Sequence, residues 1–413
     1  MTRARHVAVV ARAVFPLHGL GGLERSVYDL VRFLAGAGVR VSLVTRTPRR
    51  GIAPIDIPGV VTHFVPYRTF PFAGRRGTTV LDRSTAYPLF GERAGRLAST
   101  LVSNDGVDIV HGFGASVLGY ARRRTSFAAP LVLNPQGLEE FGATDPARAR
   151  MKRAAYFPLR RAVIACARAA DCVIATDRVL EPAVTAHLRV EPSRIRVIPN
   201  ALDLPSLDAV ASPADGRRVR REAGIASGEV VLLSVGRIEH NKGFHVLSAA
   251  LGALRDHTPR IAEGTWRWVV IGDGPYRHAL ESSISRAGIS KSVLLPGRVS
   301  ERDLHAWYEA ADLFVHPSLY EGSSLVTLEA MAHKRPVIAT TAGGLPDKVR
   351  SGVNGWLVPP GDASALAAAV SGALGQTDRF PRLGEAARAI VEQEFSWAAA
   401  GADLLRLYDE LLV

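Results

Sequence analysis

The sequence predicts an α/β protein with two Rossmann-like domains, each built on a parallel sheet. Short runs of β-branched residues alternate with helical patterns along the whole chain, which is typical of such folds. The alternation restarts near residue 230, after the turn-rich segment Pro199–Pro205, which contains two prolines and an asparagine. The length of 413 residues also suits two domains, since one domain has ~100–200 residues.

The strands that support this prediction are placed by their apolar runs. In the first half they are predicted at His6–Val10, Val39–Thr45, Val60–Val65, Asp108–Val110, Leu131–Leu133, Cys172–Ala175 and Arg196–Ile198, with a helix at Glu24–Ala37. In the second half they are predicted at Val230–Val235, Trp268–Ile271, Val293–Leu295, Leu313–Val315, Val337–Ala339 and Trp356–Val358. We expect domains at 1–203 and 204–396 to face each other across a cleft, with ligands at the carboxyl ends of the strands.

Composition excludes several classes of protein. With 47% hydrophobic and 22% charged residues, the chain is neither disordered nor fibrous. Cys166 and Cys172 are its two cysteines, too few for a disulfide framework or a cysteine metal site, which favours a reducing compartment. The longest apolar runs fall short of 18 residues, and the apolar part of the N-terminus is too short for a secretory signal. We therefore expect a cytoplasmic protein.

Positive charge is concentrated in the first half of the chain. Residues 1–200 carry 29 Lys and Arg against 14 Asp and Glu, whereas residues 201–413 carry 22 against 25. This asymmetry indicates an anionic partner of the first half, a nucleic acid or a membrane surface. The alternative is an arginine-rich composition without a binding role, since the chain has 46 Arg and 5 Lys.

Two segments of the first half combine basic with apolar side chains. The loop Tyr67–Gly77 suits an interfacial anchor, an acceptor lid or an ordinary packed loop, and it contains Arg68, Phe70, Phe72, Arg75 and Arg76. The region Arg148–Arg168 is predicted to be helical and broken at Pro158, with basic residues at Arg148, Lys152, Arg153, Arg160 and Arg161. This region can lie on an anionic membrane or form a solvated helix face.

Two glycine-rich loops are suited to phosphate. Gly21 and Gly22 precede the first predicted helix, whose N-terminus favours negative charge, but the third glycine of a dinucleotide fingerprint is missing. The loop Gly236–Gly243 carries Arg237 and Lys242, two cations that can grip a diphosphate. It is not a P-loop, because its second glycine follows the lysine and no Ser or Thr comes next. A plain strand–helix turn is the alternative for each loop.

The segment Glu321–Glu329 carries two carboxylates eight positions apart, after the fourth predicted strand of the second half. Glu321 is predicted to precede the following helix, and Glu329 to lie about two turns along it. Gly322–Ser324 are expected to open that helix and to leave N–H groups for phosphate oxygens. Glu321 can then accept hydrogen bonds from sugar hydroxyls. The alternative is an amphipathic helix with two solvated acids.

Taken together, these motifs resemble those of the family 4 glycosyltransferases, retaining enzymes with the GT-B fold. The matching segments of the second half are Ser234–Gly243, Val270–Pro275, Leu295–Val299, Pro317–Glu321, Glu329–Ala332, Gly343–Pro346 and Asn354–Asp362. Those of the first half are Gly21–Arg25 and Asp108–His111. Phe395–Trp397 resembles the start of the last helix, here 397–413, which in this fold crosses back to the first domain. The resemblance implies an acceptor-binding first domain and a nucleotide-sugar-binding second domain.

The resemblance also implies roles for single residues of the donor site. Arg237 and Lys242 would hold the nucleotide diphosphate, and Glu321 would contact the transferred sugar. Glu329 would receive the ribose hydroxyls. Ser324 and Leu325 would offer backbone N–H groups to the phosphate, and Val299 would meet the base through its main chain. Gly22 would touch the diphosphate from the first domain, and Gly272 is a further residue of the donor site.

One position departs from the family pattern. The family often has a histidine after the strand at Leu131–Leu133, whereas Gln136 stands in that loop here. A glutamine can hydrogen-bond a sugar hydroxyl but cannot exchange a proton near neutral pH. In a retaining transfer the departing diphosphate can itself take the acceptor's proton. His111 is the second acceptor-side candidate, with a structural role as its alternative.

We therefore predict a retaining glycosyltransferase that moves a hexosyl unit from a UDP- or GDP-sugar to a glycan, a glycolipid or a lipid-linked acceptor. Fixed cations would replace a metal ion, so we expect no metal and no other cofactor. We also expect no nucleic acid partner. If the basic first half binds anionic lipid, the protein would lie peripherally at the inner face of the plasma membrane. The alternatives are a nucleotide-sugar-binding protein with weak turnover, or a sugar phosphorylase or epimerase on the same fold.

Overall fold

The computed structural model describes residues 5–19, 21–49, 51–68, 80, 82–125, 128–135, 138–142, 149–257 and 265–413. The chain divides into two compact units, Met1–Ala201 with Ala400–Val413, and Leu202–Ala399. Each unit is built around its own parallel sheet. The functions expected of the two predicted domains remain predictions.

The first unit contains a seven-stranded sheet in the order β3-β2-β1-β4-β5-β6-β7 within the described residues. The strands are β1 His6–Val10, β2 Arg40–Arg46, β3 Val60–Val65, β4 Ile109–Phe113, β5 Leu131–Asn134, β6 Cys172–Ala175 and β7 Ile195–Val197. All residues of β1 and β4 are buried, as expected for central strands covered on both faces. The α-helices are Gly22–Gly36, Tyr87–Asp105, Leu118–Arg123, Ala149–Ala155, Phe157–Ala169 and Glu181–Leu188.

The second unit contains a six-stranded sheet in the order β10-β9-β8-β11-β12-β13 within the described residues. The strands are β8 Val230–Val235, β9 Trp266–Ile271, β10 Val293–Gly297, β11 Leu313–His316, β12 Val337–Thr340 and β13 Gly355–Val358. Alternate residues of β8 enter two separate apolar clusters, Val231 and Leu233 in one and Leu232 in the other. Both faces of this sheet are therefore covered, as the βα alternation predicts.

The remaining α-helices belong to the second unit, except that most of the last one lies in the first unit. They are Leu204–Asp208, Pro213–Glu222, Phe244–His257, Arg277–Arg286, Glu301–Ala310, Leu325–Ala332, Leu345–Lys348, Ala363–Leu374, Phe380–Glu394 and Trp397–Leu412. In the last helix Tyr408 is fully buried, and Gly401 lies so close to Phe33 that a Cβ would meet its ring at 2.2 Å.

The observed sheets confirm the predicted α/β class with two Rossmann-like parallel sheets. The basic region of the first unit differs in detail from the prediction. Its two helices, Ala149–Ala155 and Phe157–Ala169, are separated at Tyr156, and Pro158 lies in the first turn of the second helix. A proline is tolerated there because the first N–H groups of a helix have no intrahelical acceptor.

Candidate functional site

Loops at the carboxyl end of the second unit's sheet meet through backbone contacts that require glycine. Gly243 has φ +68°, and a Cβ there would lie 1.9 Å from the carbonyl oxygen of Pro317. Gly272 has φ +132°, and its Cβ would lie 2.1 Å from the carbonyl oxygen of Gly236. Any side chain would push these loops apart. The glycines therefore bring the segments that follow β8, β9 and β11 together.

A short ion pair in this region joins Lys242 to Glu321. Lys242 Nζ lies 2.7 Å from Glu321 Oε2, and the two side chains are 17% and 14% exposed. The same carboxylate oxygen is 2.8 Å from Nε2 of His316, the last residue of β11, and accepts from Ser318 Oγ at 3.1 Å. A cation and a carboxylate that are 79 positions apart in the chain thus share one small polar cluster.

The ionisation state of Glu321 follows from these neighbours. Burial alone would raise its pKa, but the Lys242 ammonium and the hydrogen bond with His316 outweigh burial and hold the pKa well below the ordinary value. Burial also lowers the pKa of His316, so its ring is neutral near pH 7. Glu321 is therefore a carboxylate that can accept hydrogen bonds from hydroxyl groups, not a proton donor.

Arg237 lies in a more open setting than Lys242. Its guanidinium NH1 is 3.2 Å from Glu239 Oε1, and its side chain is 65% exposed. An exposed ion pair of this kind contributes little, so a dianionic ligand can compete for the guanidinium.

Glu329 is held by a residue that the sequence analysis did not single out. Tyr308, on the helix Glu301–Ala310, donates its hydroxyl to Glu329 Oε2 at 2.8 Å. Burial and the Glu329 charge raise the pKa of Tyr308 well above its usual value, so it remains a donor. The helix of Glu329 begins at Leu325, so Glu329 lies just over one turn along it, rather than the expected two.

The positions predicted to act through the main chain lie at element ends. Ser324 is the N-cap of the helix Leu325–Ala332, and its Oγ lies 2.9 Å from Thr327 Oγ1. Gly22 is the exposed first residue of its helix, and Val299 lies two residues beyond β10. N–H groups at a helix start are free to bind phosphate. The contacts of these residues with a nucleotide-sugar donor stay a prediction.

The two acceptor-side candidates differ in what the structure describes. His111 lies on β4 and is 2% exposed, and its Nδ1 is 2.6 Å from the hydroxyl of Tyr408 on the last helix. Burial lowers the pKa of His111 to about 3, which supports the structural alternative for this residue. Gln136 lies outside the described residues, as do Phe70, Phe72, Arg75, Arg76 and Arg148.

Three residues of the site were missed by sequence reasoning: His316, Ser318 and Tyr308. His316 and Ser318 flank the proline of a motif that was recognised, so their proximity to Glu321 was a local signal. Tyr308 is 21 positions from Glu329 on another helix, and nothing local indicates that contact.

The described residues also bear on metal binding and on membrane insertion. Within these residues, His, Cys, Asp and Glu form no group of three suited to a metal ion. Nor does a helix of the described part have the length and apolarity needed to cross a membrane.

Comparison with known proteins follows the same two-part division. A family model described as "Glycosyltransferase Family 4" matches residues 20–205, and one described as "Glycosyl transferases group 1" matches residues 229–376. A D-inositol 3-phosphate glycosyltransferase of Salinispora arenicola is 30% identical over 99% of this chain and 92% of its own. That of Xylanimonas cellulosilytica is 30% identical over 98% of this chain and 97% of its own.

Solved structures show the same fold. The sucrose-phosphate synthase of Thermosynechococcus elongatus has a TM-score of 0.79 at 24% identity, covering 98% of this chain and 99% of its own. HepE of Anabaena in complex with UDP-glucose has a TM-score of 0.71 at 20% identity, covering 98% and 99%. Both neighbours cover nearly the whole chain, so the likeness extends to both parallel-sheet units, in keeping with the GT-B fold. From these matches, the chain belongs to the family 4 glycosyltransferases.

Proposed function

We propose that the protein is a retaining glycosyltransferase that transfers a hexosyl unit from a UDP- or GDP-sugar. The observation that carries this proposal is the contact of Lys242 with Glu321 at the carboxyl end of the second sheet. A fixed cation there suits the diphosphate of a donor, and an ionised carboxylate beside it suits the hydroxyls of a sugar. HepE of Anabaena, a structural neighbour, is described with UDP-glucose, which favours this class of donor.

The chemistry follows from the charges at these residues. As the bond between sugar and diphosphate breaks, negative charge grows on the leaving diphosphate, and Arg237 and Lys242 offset it. Glu321 stays ionised and accepts hydrogen bonds from the sugar, which fixes the position of the anomeric carbon and stabilises developing positive charge. The leaving diphosphate takes the acceptor's proton, so the transfer needs no protein base. These fixed cations take the place of a metal ion in the proposed reaction.

Donor recognition is assigned to Glu329, whose carboxylate would accept both ribose hydroxyls. Tyr308 occupies one side of its Oε2 and orients the carboxylate. The backbone N–H groups at Ser324 and Leu325 would meet the phosphate, and Val299 and Gly272 would lie beside the nucleoside.

The acceptor is proposed to be a glycan or glycolipid with anionic character, bound by the first unit. Residues 1–200 carry the positive excess of the chain. The relatives at 30% identity are D-inositol 3-phosphate glycosyltransferases, whose names specify a phosphorylated acceptor. Both observations favour an anionic acceptor over a neutral one.

The test is nucleotide release from a panel of UDP- and GDP-hexoses by the full chain, with and without extracted glycolipids and phosphorylated polyols. We expect release from one donor to depend on an acceptor, and the product to keep the donor's anomeric configuration by NMR. Inversion of configuration would contradict the retaining mechanism. Absence of release across the panel, with nucleotide still bound, would support the weakly active binding protein instead.

A further inference from the structure

The first sheet reverses its strand order between β1 and β4, since β2 and β3 lie on one side of this pair and β5 to β7 on the other. In open parallel sheets, ligands bind outside the carboxyl ends of the strands at such a reversal. Two arginines lie at the carboxyl ends of neighbouring strands here. Arg12 lies two residues beyond β1, and Arg46 is the last residue of β2. Both side chains are partly buried.

We propose that Arg12 and Arg46 form the binding site for a phosphate group of the acceptor. This inference rests on the proposed transfer reaction and deepens it, because it names the chemical class of the acceptor. We call the two arginines, with Tyr67 and Tyr87 beneath them, the arginine pair site.

The guanidinium of Arg12 packs on the ring of Tyr87, near the point where the strand order reverses. Its Cζ lies 4.8 Å from the centre of the Tyr87 ring. The Tyr87 hydroxyl donates to the carbonyl oxygen of Phe113, the last residue of β4, at 2.9 Å. A Cβ at Gly114 would come within 2.7 Å of that hydroxyl, so a glycine is needed beside it. The tyrosine ring that Arg12 packs on is therefore anchored to the neighbouring strand β4.

Arg46 is held on a second aromatic ring. Its Cζ lies 5.5 Å from the centre of the Tyr67 ring. Tyr67 is fixed in turn, since its hydroxyl donates to Asp82 Oδ2 at 2.8 Å. On the backbone side, the carbonyl oxygen of Arg46 lies 2.8 Å from His18 Nε2, while His18 Nδ1 accepts from the Val14 N–H at 3.1 Å. Nδ1 is therefore the acceptor nitrogen and Nε2 carries the proton that it donates to Arg46.

The two guanidinium groups act on each other electrostatically. Burial and the charge of Arg12 lower the pKa of Arg46, and the opposing charges of Glu24 and Asp82 do not reverse that shift. Burial raises the pKa of Tyr67 and the charge of Arg12 opposes that rise, so both arginines act at the same tyrosine. Two cations in a partly buried site repel each other; Glu24 and Asp82 offset part of this repulsion, and a bound anion would offset more of it.

The geometry favours a phosphate among anions. Each planar guanidinium can donate two parallel hydrogen bonds to an oxyanion, and a phosphate monoester offers three terminal oxygens for two such forks. A neutral sugar would not offset the charge of the two cations. The phosphate can belong to a free polyol phosphate or to a lipid headgroup, and both present the same group to the site.

The test is calorimetry on the full chain saturated with UDP or GDP, whichever of the two it binds, so that the groups of the donor site are already occupied. The titrants are inorganic phosphate, D-inositol 3-phosphate and myo-inositol, and vesicles of neutral lipid with or without phosphatidic acid form the lipid arm. We expect phosphate-bearing ligands to bind at least tenfold tighter than myo-inositol. Arg12→Gln and Arg46→Gln should each lower that preference at least tenfold, with nucleotide binding unchanged.

Arg40→Gln is the matched control, because Arg40 is exposed at the opposite end of β2. Arg12→Lys and Arg46→Lys keep the charge without the fork and should give intermediate affinities, which also covers a glutamine variant that fails to fold. A change confined to vesicles containing phosphatidic acid identifies a lipid headgroup, and a change with soluble ligands a free polyol phosphate. No phosphate preference in the parent chain, or an equal one in both glutamine variants, would overturn the inference. Intact nucleotide binding in that case would leave the proposed reaction standing.

Discussion

The carboxyl ends of the two sheets carry charge in different ways. In the second unit, Lys242 is neutralised by Glu321, and the loops that present them touch through glycine backbones. In the first unit, Arg12 and Arg46 repel each other and rest on tyrosine rings. A paired, tightly packed edge suits a ligand group shared by every reaction of the enzyme, such as a diphosphate. An edge where two cations lie close together gains more from an anionic ligand, and therefore suits the substrate that sets specificity.

The largest effect should come from removing the cation at the second edge. Lys242→Ala should lower the rate of transfer by about 10²–10³, or ~2.7–4 kcal/mol, because charge builds on the leaving diphosphate. Arg237→Ala should act in the same direction. The check is steady-state turnover with thermal unfolding, and Lys334→Ala, which removes an exposed ion pair with Glu385, is the control. Near-normal turnover in both site variants would contradict the phosphate assignment.

Neutralising the two carboxylates of this edge should affect different kinetic parameters. Glu321→Gln should lower turnover by about tenfold or more, since the lost charge lies beside the reacting sugar. Glu329→Gln should mainly weaken donor binding, because ribose contacts change little between ground and transition states. Donor titration together with kcat distinguishes them. The reverse pattern would mean that the two roles are exchanged.

A smaller effect is expected at Tyr308, which touches Glu329 from another helix. Tyr308→Phe removes one hydrogen bond to a carboxylate, worth about 1.5–3 kcal/mol, and should raise the KM for donor with little change in kcat. Matched donor titration of Tyr276→Phe, whose ring contacts His240 and His245 instead, is the control. An equal fall in kcat and kcat/KM would indicate that Tyr308 acts on chemistry rather than on donor position.

The smallest effect on nucleotide binding by the second unit should come from neutralising basic residues of the first unit. If its positive excess serves an anionic membrane, binding to anionic vesicles should fade with salt, since each Lys or Arg near the surface contributes ~1 kcal/mol screened over ~8 Å. Phe157 and Met151, on the two basic helices, are 53% and 64% exposed, which supports such a contact. The variant neutralises Arg68, Arg75, Arg76, Arg148, Lys152, Arg153, Arg160 and Arg161 together.

This variant should no longer bind anionic vesicles, as co-sedimentation at low and high salt would show. Its nucleotide binding should be unchanged. Equal partitioning onto neutral and anionic vesicles would mean that the arginine excess is compositional. A soluble acceptor would then be favoured.

The sequence by itself determined the α/β class and the approximate position of each described strand, because buried parallel strands are short apolar runs whose pattern is local. His6–Val10 and Val230–Val235 coincide with the observed β1 and β8. It also indicated Lys242, Glu321 and Glu329 as candidates, since glycine-rich loops and carboxylates after strands are visible along the chain. Element ends were less certain, as the later start of the Glu329 helix shows.

Only the tertiary structure decided which of these groups meet and how they ionise. Lys242 and Glu321 are 79 positions apart, and Tyr308 and Glu329 are 21 apart. Arg12 and Arg46 meet tyrosines from later segments that no periodicity connects to them. The low pKa of Glu321 likewise depends on a lysine and a histidine brought beside a buried carboxylate. The physical reason is that hydrogen bonds, burial and Coulomb interactions depend on distance in space, which the packing of remote segments sets.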